Sequence, residues 1–306
     1  MALTKITNDL LDLGSDTGAL GLPKGTEAQR PSNPVEGTLR HNSEIDETKL
    51  ETFDGTDWRK INNLKPSYSA DYLVVAGGGG TGYGNNVIGA GAGGMLFGSS
   101  FFSPSTQYTI IVGAGGTGSG ASTIGNGTNG QNSSIAELSI VSIGGGRSNG
   151  DADLNGGDGG SGGGAGKGAS AIGVPGSGTI GQGNNGAGND GDAVGGSGGG
   201  AGGPGSSTGA YGSTPGGLGL SNSISGTSVT YASGGGSYDR IGVANTGNGA
   251  GNGANSGAGG FPGGSGIVIL RMPTANYSGK TTGSPGVTTD GTDTILTYTS
   301  SGTYTA

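Results

Sequence analysis

Glycine fills 79 of the 306 positions and comes in bursts that directly follow short apolar runs. Tyr72–Ala76 reads YLVVA and runs into GGGGTG; YTIIV at 108–112 runs into GAGGTGSG. Ordering glycine costs more backbone entropy than ordering any other residue, and glycine brings no side chain to a core. Apolar residues make up only 29% of the chain, too few for a core of average kind. There is no cysteine, so neither disulfides nor thiolate metal sites can compensate. Whatever holds the glycine-rich part together is therefore something other than apolar side chains or covalent staples.

Three states suit such glycine tracts. A flexible linker is one, but linkers rarely sit between the buried strands of one domain. A collagen helix is another, yet GGDGGSGGGAGKGAS breaks the required three-residue glycine period and proline is scarce. The third is a bundle of polyglycine II helices. Such a left-handed, three-residue-per-turn helix points its N–H and C=O groups outward. Those groups need partners, and parallel rods of glycine can lie close enough to supply them. Short bursts such as GGGGTG, GAGAGG, GGSGGGAGGPG and GNGAGNGANSGAGG alternate with segments bearing larger residues, as rods joined by loops require. The sequence is read as this third state.

The same glycines imitate nucleotide motifs. Gly77, Gly79 and Gly82 satisfy G-x-G-x-x-G, and so do Gly113, Gly115 and Gly118. Neither is followed by a sequence able to sustain the helix whose N-terminus would bind a pyrophosphate. GAGKG around Lys167 misses a P-loop twice, with Ser161 for the first glycine and Gly168 for the magnesium-binding hydroxyl. No cofactor is expected.

Charge divides the chain. Of its 34 charged residues, 19 fall in the first 65 positions, and a boundary is expected near Asn62–Ser67. The net charge of −8 offers no footprint for nucleic acid, and no apolar run is long enough for a membrane helix. At the start, Leu3, Ile6, Leu10 and Leu13 share one helical face, which predicts a short helix or arm over 1–21 that docks on a partner. GTLRHN, KLETF and WRKI predict short strands in 22–65, around turns at Ser43–Glu47 and Asp54-Gly55. This segment has few large apolar residues. Leu39, Leu50, Phe53, Trp58 and Ile61 are expected to form a core shared between copies of the chain, since one copy buries too little.

The order P-x-G-T-x-x-Q-R-P-x-x-P-x-x-G-x-x-R-x-N, then K-L-E-x-x-D-G-x-x-W, resembles a module of bacteriophage tail fibres and related virion spikes. Gln29-Arg30-Pro31, Gly37, Arg40, Asn42, Asp54-Gly55 and Trp58 carry that resemblance. It implies a homotrimeric fibre. Further on, YLVVAGGGG, YTIIVGAGG and GGSGIVILRMP resemble a glycine-rich domain common near the C-terminal end of phage fibre proteins. The alternation of glycine bursts also resembles the polyglycine sandwich of certain tail-tip adhesins.

The expected fold is mainly β with irregular structure. It comprises the N-terminal arm, a trimeric hairpin segment, and a glycine-rich domain over 66–306. In that domain a small strand framework (68–113, 135–143, 266–306) carries a polyglycine II bundle, mostly 144–265. YLVVA, YTIIVG, ELSIVSI, GIVILRM and TILTYTSSGTYTA supply the framework strands, and the continuous runs LVV and IVIL predict burial on both faces. Phe97, Phe101 and Phe102 are expected to plug the framework core.

Catalytic chemistry is hard to assemble. His41 is the only histidine and lies in a hairpin without a nucleophile elbow. GAGNDGD at 186–192 has the composition of a calcium-binding turn but occurs once, and no metal is expected. No glycosidase carboxylate pair stands out. The chain is read as non-enzymatic. Tyr83, Tyr211, Tyr238, Asp239 and Arg240 are the expected receptor contacts, because aromatic residues on loops suit recognition by stacking. The resemblance places the protein in the virion tail, made in the host cytoplasm. It implies contact with other tail proteins through the N-terminus, and with a bacterial surface polysaccharide or outer-membrane protein at the other end. A capsid-decorating protein, another virion ornament, and a free ice-binding or matrix protein remain as alternatives.

Overall fold

The charged segment before Lys65 forms a four-stranded sheet in the order β1 (Lys24–Gly25), β2 (Leu39–Asn42), β3 (Leu50–Phe53), β4 (Trp58–Lys60). β1 runs parallel to β2 and the other pairs are antiparallel. Gly55, with φ +95°, makes the turn between β3 and β4. This is one compact unit, ending at Lys65; the second runs from Pro66 to Ala306. The computed structural model describes residues 22–44, 50–61, 66–83, 88–120, 125–150, 153–166, 172–189, 195–207, 214–236, 241–251 and 259–306. The expected N-terminal helix, with Leu3, Ile6, Leu10 and Leu13, lies outside them.

The second unit contributes β5 (Tyr68–Val75), β6 (Met95–Phe102), β7 (Gln107–Ile111), β8 (Ser133–Ile135), β9 (Ile140–Ser142), β10 (Leu220–Asn222), β11 (Val229–Tyr231), β12 (Ile267–Pro273), β13 (Lys280–Thr281), β14 (Gly286–Asp290), β15 (Asp293–Tyr298) and β16 (Gly302–Thr305). Two five-stranded sheets, ordered β14-β15-β12-β5-β6 and β13-β16-β7-β8-β9, face each other. Every pairing within them is antiparallel. Their shared core holds Val74, Phe102, Tyr108, Ile110, Ile135, Val268, Leu270, Met272, Leu296, Tyr298 and Tyr304. Burial there pushes the phenol of Tyr68 up, and its hydroxyl shares a 2.6 Å hydrogen bond with Tyr304. The other face of the first sheet, with Leu73, Val75, Met95, Ile269 and Ile295, is covered at one end by the β10–β11 hairpin. The runs LVV and IVIL are thus buried on both faces, as their lack of alternation requires. The chain is mainly β, in several small sheets; among the described residues there is no closed barrel and no helix reaches seven residues.

Between the strands lies the glycine bundle, and its hydrogen bonds repeat every three residues. Ala76 and Gly79 donate to Gly94 and Gly91; Gly77 and Gly80 donate to Gln131 and Thr128; Gly78 and Thr81 donate to Gly264 and Phe261. The carbonyls of Gly77 and Gly80 accept from Gly145 and Ser148, those of Gly78 and Thr81 from Gly116 and Ser119, and that of Gly79 from Ala250. Segment 76–82 is therefore a rod surrounded by six others, donating to three and accepting from three. Segment 88–94 repeats the pattern. It donates to 195–200, 246–251 and 143–149, and it accepts from 159–166, 233–236 and 76–82. Partners that rotate with a period of three are the signature of a three-residue turn, the polyglycine II geometry. A sheet cannot do this, because a strand has only two hydrogen-bonded neighbours.

Three expectations differ from the structure. Besides the rods within 144–265, segments 76–82, 88–94, 113–119 and 125–132 belong to the bundle, and 76–82 is completely enclosed. Six rods are direct continuations of β5, β6, β7, β8, β9 and β12. Glu137–Ile143 is not one strand, because a 3-10 turn at Ala136–Leu138 and left-handed Ser139 separate β8 from β9. Segment 294–306 is two strands, β15 and β16. Of the three phenylalanines, only Phe102 is in the core; Phe97 and Phe101 are 57% and 69% exposed. They occupy odd positions of β6, whose outer end extends beyond the cover of the hairpin, while Phe102 faces the opposite sheet.

Candidate functional site

Glycine is required in the rods for closeness rather than for unusual dihedrals. A Cβ on Gly77, Gly78, Gly79 or Gly80 would stand 2.0–2.2 Å from the carbonyl oxygen of Ala114, Asn248, Gly146 or Thr117. None of these four has positive φ. Backbone fills the space on every side, and the N–H groups of 77–81 are all engaged by carbonyls of neighbouring rods. The G-x-G-x-x-G at 77–82 therefore has no donor left over for a phosphate along 77–81.

Where the lattice runs out, side chains replace the missing rods. Asn126, Asn129 and Asn132 accept from the backbone N–H of Gly150, Arg147 and Gly144. Asn155 and Asp158 likewise accept from Val174 and Ser177. The three-residue spacing puts each series on one edge of a rod. Sequence reasoning missed these residues, although N-x-x-N-x-x-N at 126–132 was a readable signal of a three-residue turn.

The bundle has two unlike ends. One grows out of the sheets and is closed by described turns: Thr179–Gln182, where Gln182 bonds Met95 and Ile143, and the β10–β11 hairpin. At the opposite end lie Tyr83, Gly125 and Gly150, mutually in contact. Ile88, Leu154 and Gly166 meet there too, as do Gly260 with Ser119, Ala187 with Ala165, and Thr214 with Gly236. Gly242, by contrast, packs against Gly264 and Asn248, nearer the sheets. Of the expected receptor residues, Tyr83 is at the far end, half-buried, its N–H bonded to Gly125. Tyr211, Tyr238, Asp239 and Arg240 lie outside the described residues.

A family model described as a glycine-rich domain matches residues 60–273. The chain belongs to this glycine-rich domain family. No curated protein matches the chain, and no solved structure matches it. In this glycine-rich domain the match takes in the rods and stops at the end of β12. The strands β15 and β16 that complete the sandwich, with Leu296, Tyr298 and Tyr304, lie beyond it.

The preceding unit has a polar interior. Glu51 is buried, and its carboxylate accepts from Arg40 Nη1 at 2.7 Å, from Arg30 Nη2 at 2.7 Å and Nε at 3.2 Å, and from Asn42 Nδ2 at 3.1 Å. The Arg30 hydrogen bond, against the opposing effect of burial, holds its pKa below the usual carboxylate range. Arg40 also donates to the Thr26 carbonyl and lies over Trp58, 5.7 Å from the ring centroid. Gly25 leaves the room that Arg40 and Gln29 occupy, since a Cβ would sit 2.8 Å from each. The Q-R-P, R-x-N and K-L-E residues of the sequence thus meet at one carboxylate. The five apolar residues expected in a shared core divide by strand register. Leu39, Leu50 and Ile61 lie on one face; Phe53 and Trp58, 5.6 Å apart, lie on the face of Arg40 and Glu51. None of the five is fully buried within the chain, and Leu39 is 41% exposed.

Among the described residues there is no group of three or more His, Cys, Asp or Glu able to hold a metal, and no helix long and apolar enough to cross a membrane. His41 is partly buried on β2, opposite Leu50.

Proposed function

We propose that the chain is a non-enzymatic structural protein of a bacteriophage tail fibre that contacts a bacterial surface receptor through the far end of its rod bundle. The observation that carries this reading is the one-sided layout of the bundle. Tyr83, Gly125, Gly150, Ile88, Leu154 and Gly166 meet at the end away from the sheets, whereas the other end is closed by the Thr179–Gln182 turn and the β10–β11 hairpin. Rods cross-linked in six directions make a stiff stalk, and loops positioned by a rigid scaffold are a common build for recognition. The resemblance of 22–61 to a tail-fibre module supports the virion assignment and a homotrimer. In that assembly the half-exposed face of Leu39, Leu50 and Ile61 meets its counterparts, and the N-terminal arm joins other tail proteins.

The test uses the purified full chain. Sedimentation is expected to give a mass near three times 28.9 kDa. The labelled chain is expected to bind some bacterial strains and not others, and Tyr211→Ala with Tyr238→Ala to weaken that binding at unchanged stability. A monomer that adheres to no strain in a broad panel overturns the reading.

A further inference from the structure

The outer face of the first sheet has an unclaimed groove, remote from the far end of the bundle. It is open, has a volume of about 310 Å³, and is lined by Asp71, Phe97 and Ser99 of the sheet, Arg271 of β12, and Asn222 to Ile224 of the hairpin. Strand register puts Ser99, Asp71 and Arg271 side by side in one row across β6, β5 and β12. The next row inward holds Phe97 beside Leu73 and Ile269. Phe101 is on the same face beyond Ser99.

We infer that this groove binds a neutral oligosaccharide, with the exposed ring of Phe97 as its stacking platform. Three features select that ligand class. A flat aromatic face beside groups that both donate and accept hydrogen bonds, here Ser99, Asn222 and Ser223, suits the alternating C–H and hydroxyl faces of a sugar ring. The Ser99 hydroxyl donates to Asp71 Oδ1 and so fixes the carboxylate as an acceptor for ligand hydroxyls. The charge balance excludes anionic sugars. Arg271 is already engaged by Asp293 at 2.8 Å and Asp290 at 2.9 Å, and Asp71 is its register neighbour on β5, so carboxylates outnumber the one guanidinium here. Tyr72 also lines the groove, but its ring packs toward the sandwich core, so Phe97 does not stand in an aromatic cage of the kind that enclosed cations occupy. The inference does not depend on the fibre reading, because the groove belongs to the sandwich and not to the connections at the far end.

The chain has five phenylalanines, so phenylalanine ring labelling gives a resolvable NMR spectrum of the intact protein. Maltohexaose, cellohexaose, mannohexaose, a hexamer of galacturonic acid, and choline are titrated separately. At least one neutral hexamer is expected to shift the Phe97 ring signal and leave buried Phe102 unmoved, while the acidic hexamer and choline shift neither. Phe97→Ala is expected to weaken binding at least tenfold and Asp71→Asn several-fold, with Phe97→Tyr retaining it. Because Phe97 is exposed, these variants are expected to keep the wild-type amide spectrum. No shift with any neutral hexamer, preference for the acidic hexamer or choline, or undiminished binding by Phe97→Ala overturns the inference.

Discussion

Leu73 to Val75 and Gly77 to Thr81 are nearly adjacent in the chain, both fully buried, and held by different means. In β5 each residue shares its backbone bonds with two neighbouring strands and sends a side chain above or below the sheet. In the rod that follows, each residue turns by a third of a revolution, so six neighbours are reached and Gly77 to Gly80 have no room for a side chain. The step from one state to the other is set by the loss of Cβ between Ala76 and Gly77. Strands thus hold the unit together with apolar area, and rods with backbone hydrogen bonds. Each kind of cohesion fails to a different substitution.

The largest difference is expected from one methyl group in the enclosed rod. Gly79→Ala puts a Cβ 2.2 Å from the Gly146 carbonyl oxygen, which is backbone and cannot rotate away. A loss of more than about 4 kcal/mol is expected, enough to abolish the cooperative unfolding of the second unit by circular dichroism. Native alanines mark where a methyl is admissible: that of Ala92 joins Leu73, Val75 and Ile269 in an apolar cluster. If Gly79→Ala melts like wild type, backbone closeness is not what holds the rods.

The first unit extends the comparison to a third kind of cohesion, an ionic one. Glu51→Ala leaves Arg40 buried without its counter-charge, at a cost of about 3 to 5 kcal/mol. The single tryptophan, Trp58, lies in this unit beside Arg40 and reports it separately from the rods. Its fluorescence is expected to show the first unit unfolded in this variant while the second keeps its wild-type melting. The pH response follows from the same carboxylate. Its folded pKa is depressed below 4.5, so the unfolded state binds the proton more readily. The contribution is complete above about pH 4.5 and is lost as pH falls through the folded value. Acid titration followed at Trp58 is expected to destabilise the wild-type first unit as pH falls below about 4.5, and an acid response unchanged in Glu51→Gln breaks the assignment.

Much of this division was legible in the sequence. The step in charge near residue 65 coincides with the boundary between units; LVV and IVIL are strands because unbroken β-branched runs suit a sheet covered on both faces, while YTII alternates, with Tyr108 and Ile110 buried and Ile111 exposed. The β10–β11 hairpin was not legible, because LSN and VTY are too short to stand out among glycines. Phe97 and Phe101 were misread because MLFGSSFF has apolar residues at both parities, and only the limited reach of the hairpin decides which stay exposed. The polar interior of the first unit was half legible: Arg30, Arg40 and Asn42 carried the resemblance, but nothing local said that Glu51 was where they meet. At the far end, Tyr83 alone among the expected contacts has a described position.

A smaller effect separates bonds inside the lattice from those at its edge. Asn129→Ala removes the acceptor of the Arg147 N–H and the donor to the Asp158 carbonyl. Water can reach this edge, so about 1 kcal/mol is expected. The loss should appear as faster amide exchange at Arg147, with Gly77 to Gly80 unchanged. Equal acceleration in both places would mean that rods open together and that the edge is no weaker than the interior.

The smallest effect is also the sharpest control. A Cβ on Gly188 meets nothing closer than Pro175 Cδ at 3.9 Å, an ordinary contact, and its φ is not positive. The same glycine-to-alanine change that is expected to destroy the rod at Gly79 should therefore be accepted here. It removes backbone freedom from the unfolded chain, so a stabilisation of about 0.4 to 1 kcal/mol is expected in denaturant titration. Propensity cannot separate the two sites, since both are non-helical glycines in glycine-rich runs; only the carbonyl opposite differs. If Gly188→Ala is as damaging as Gly79→Ala, glycine is needed for its conformational freedom throughout the bundle, and the close-contact account of the rods is wrong.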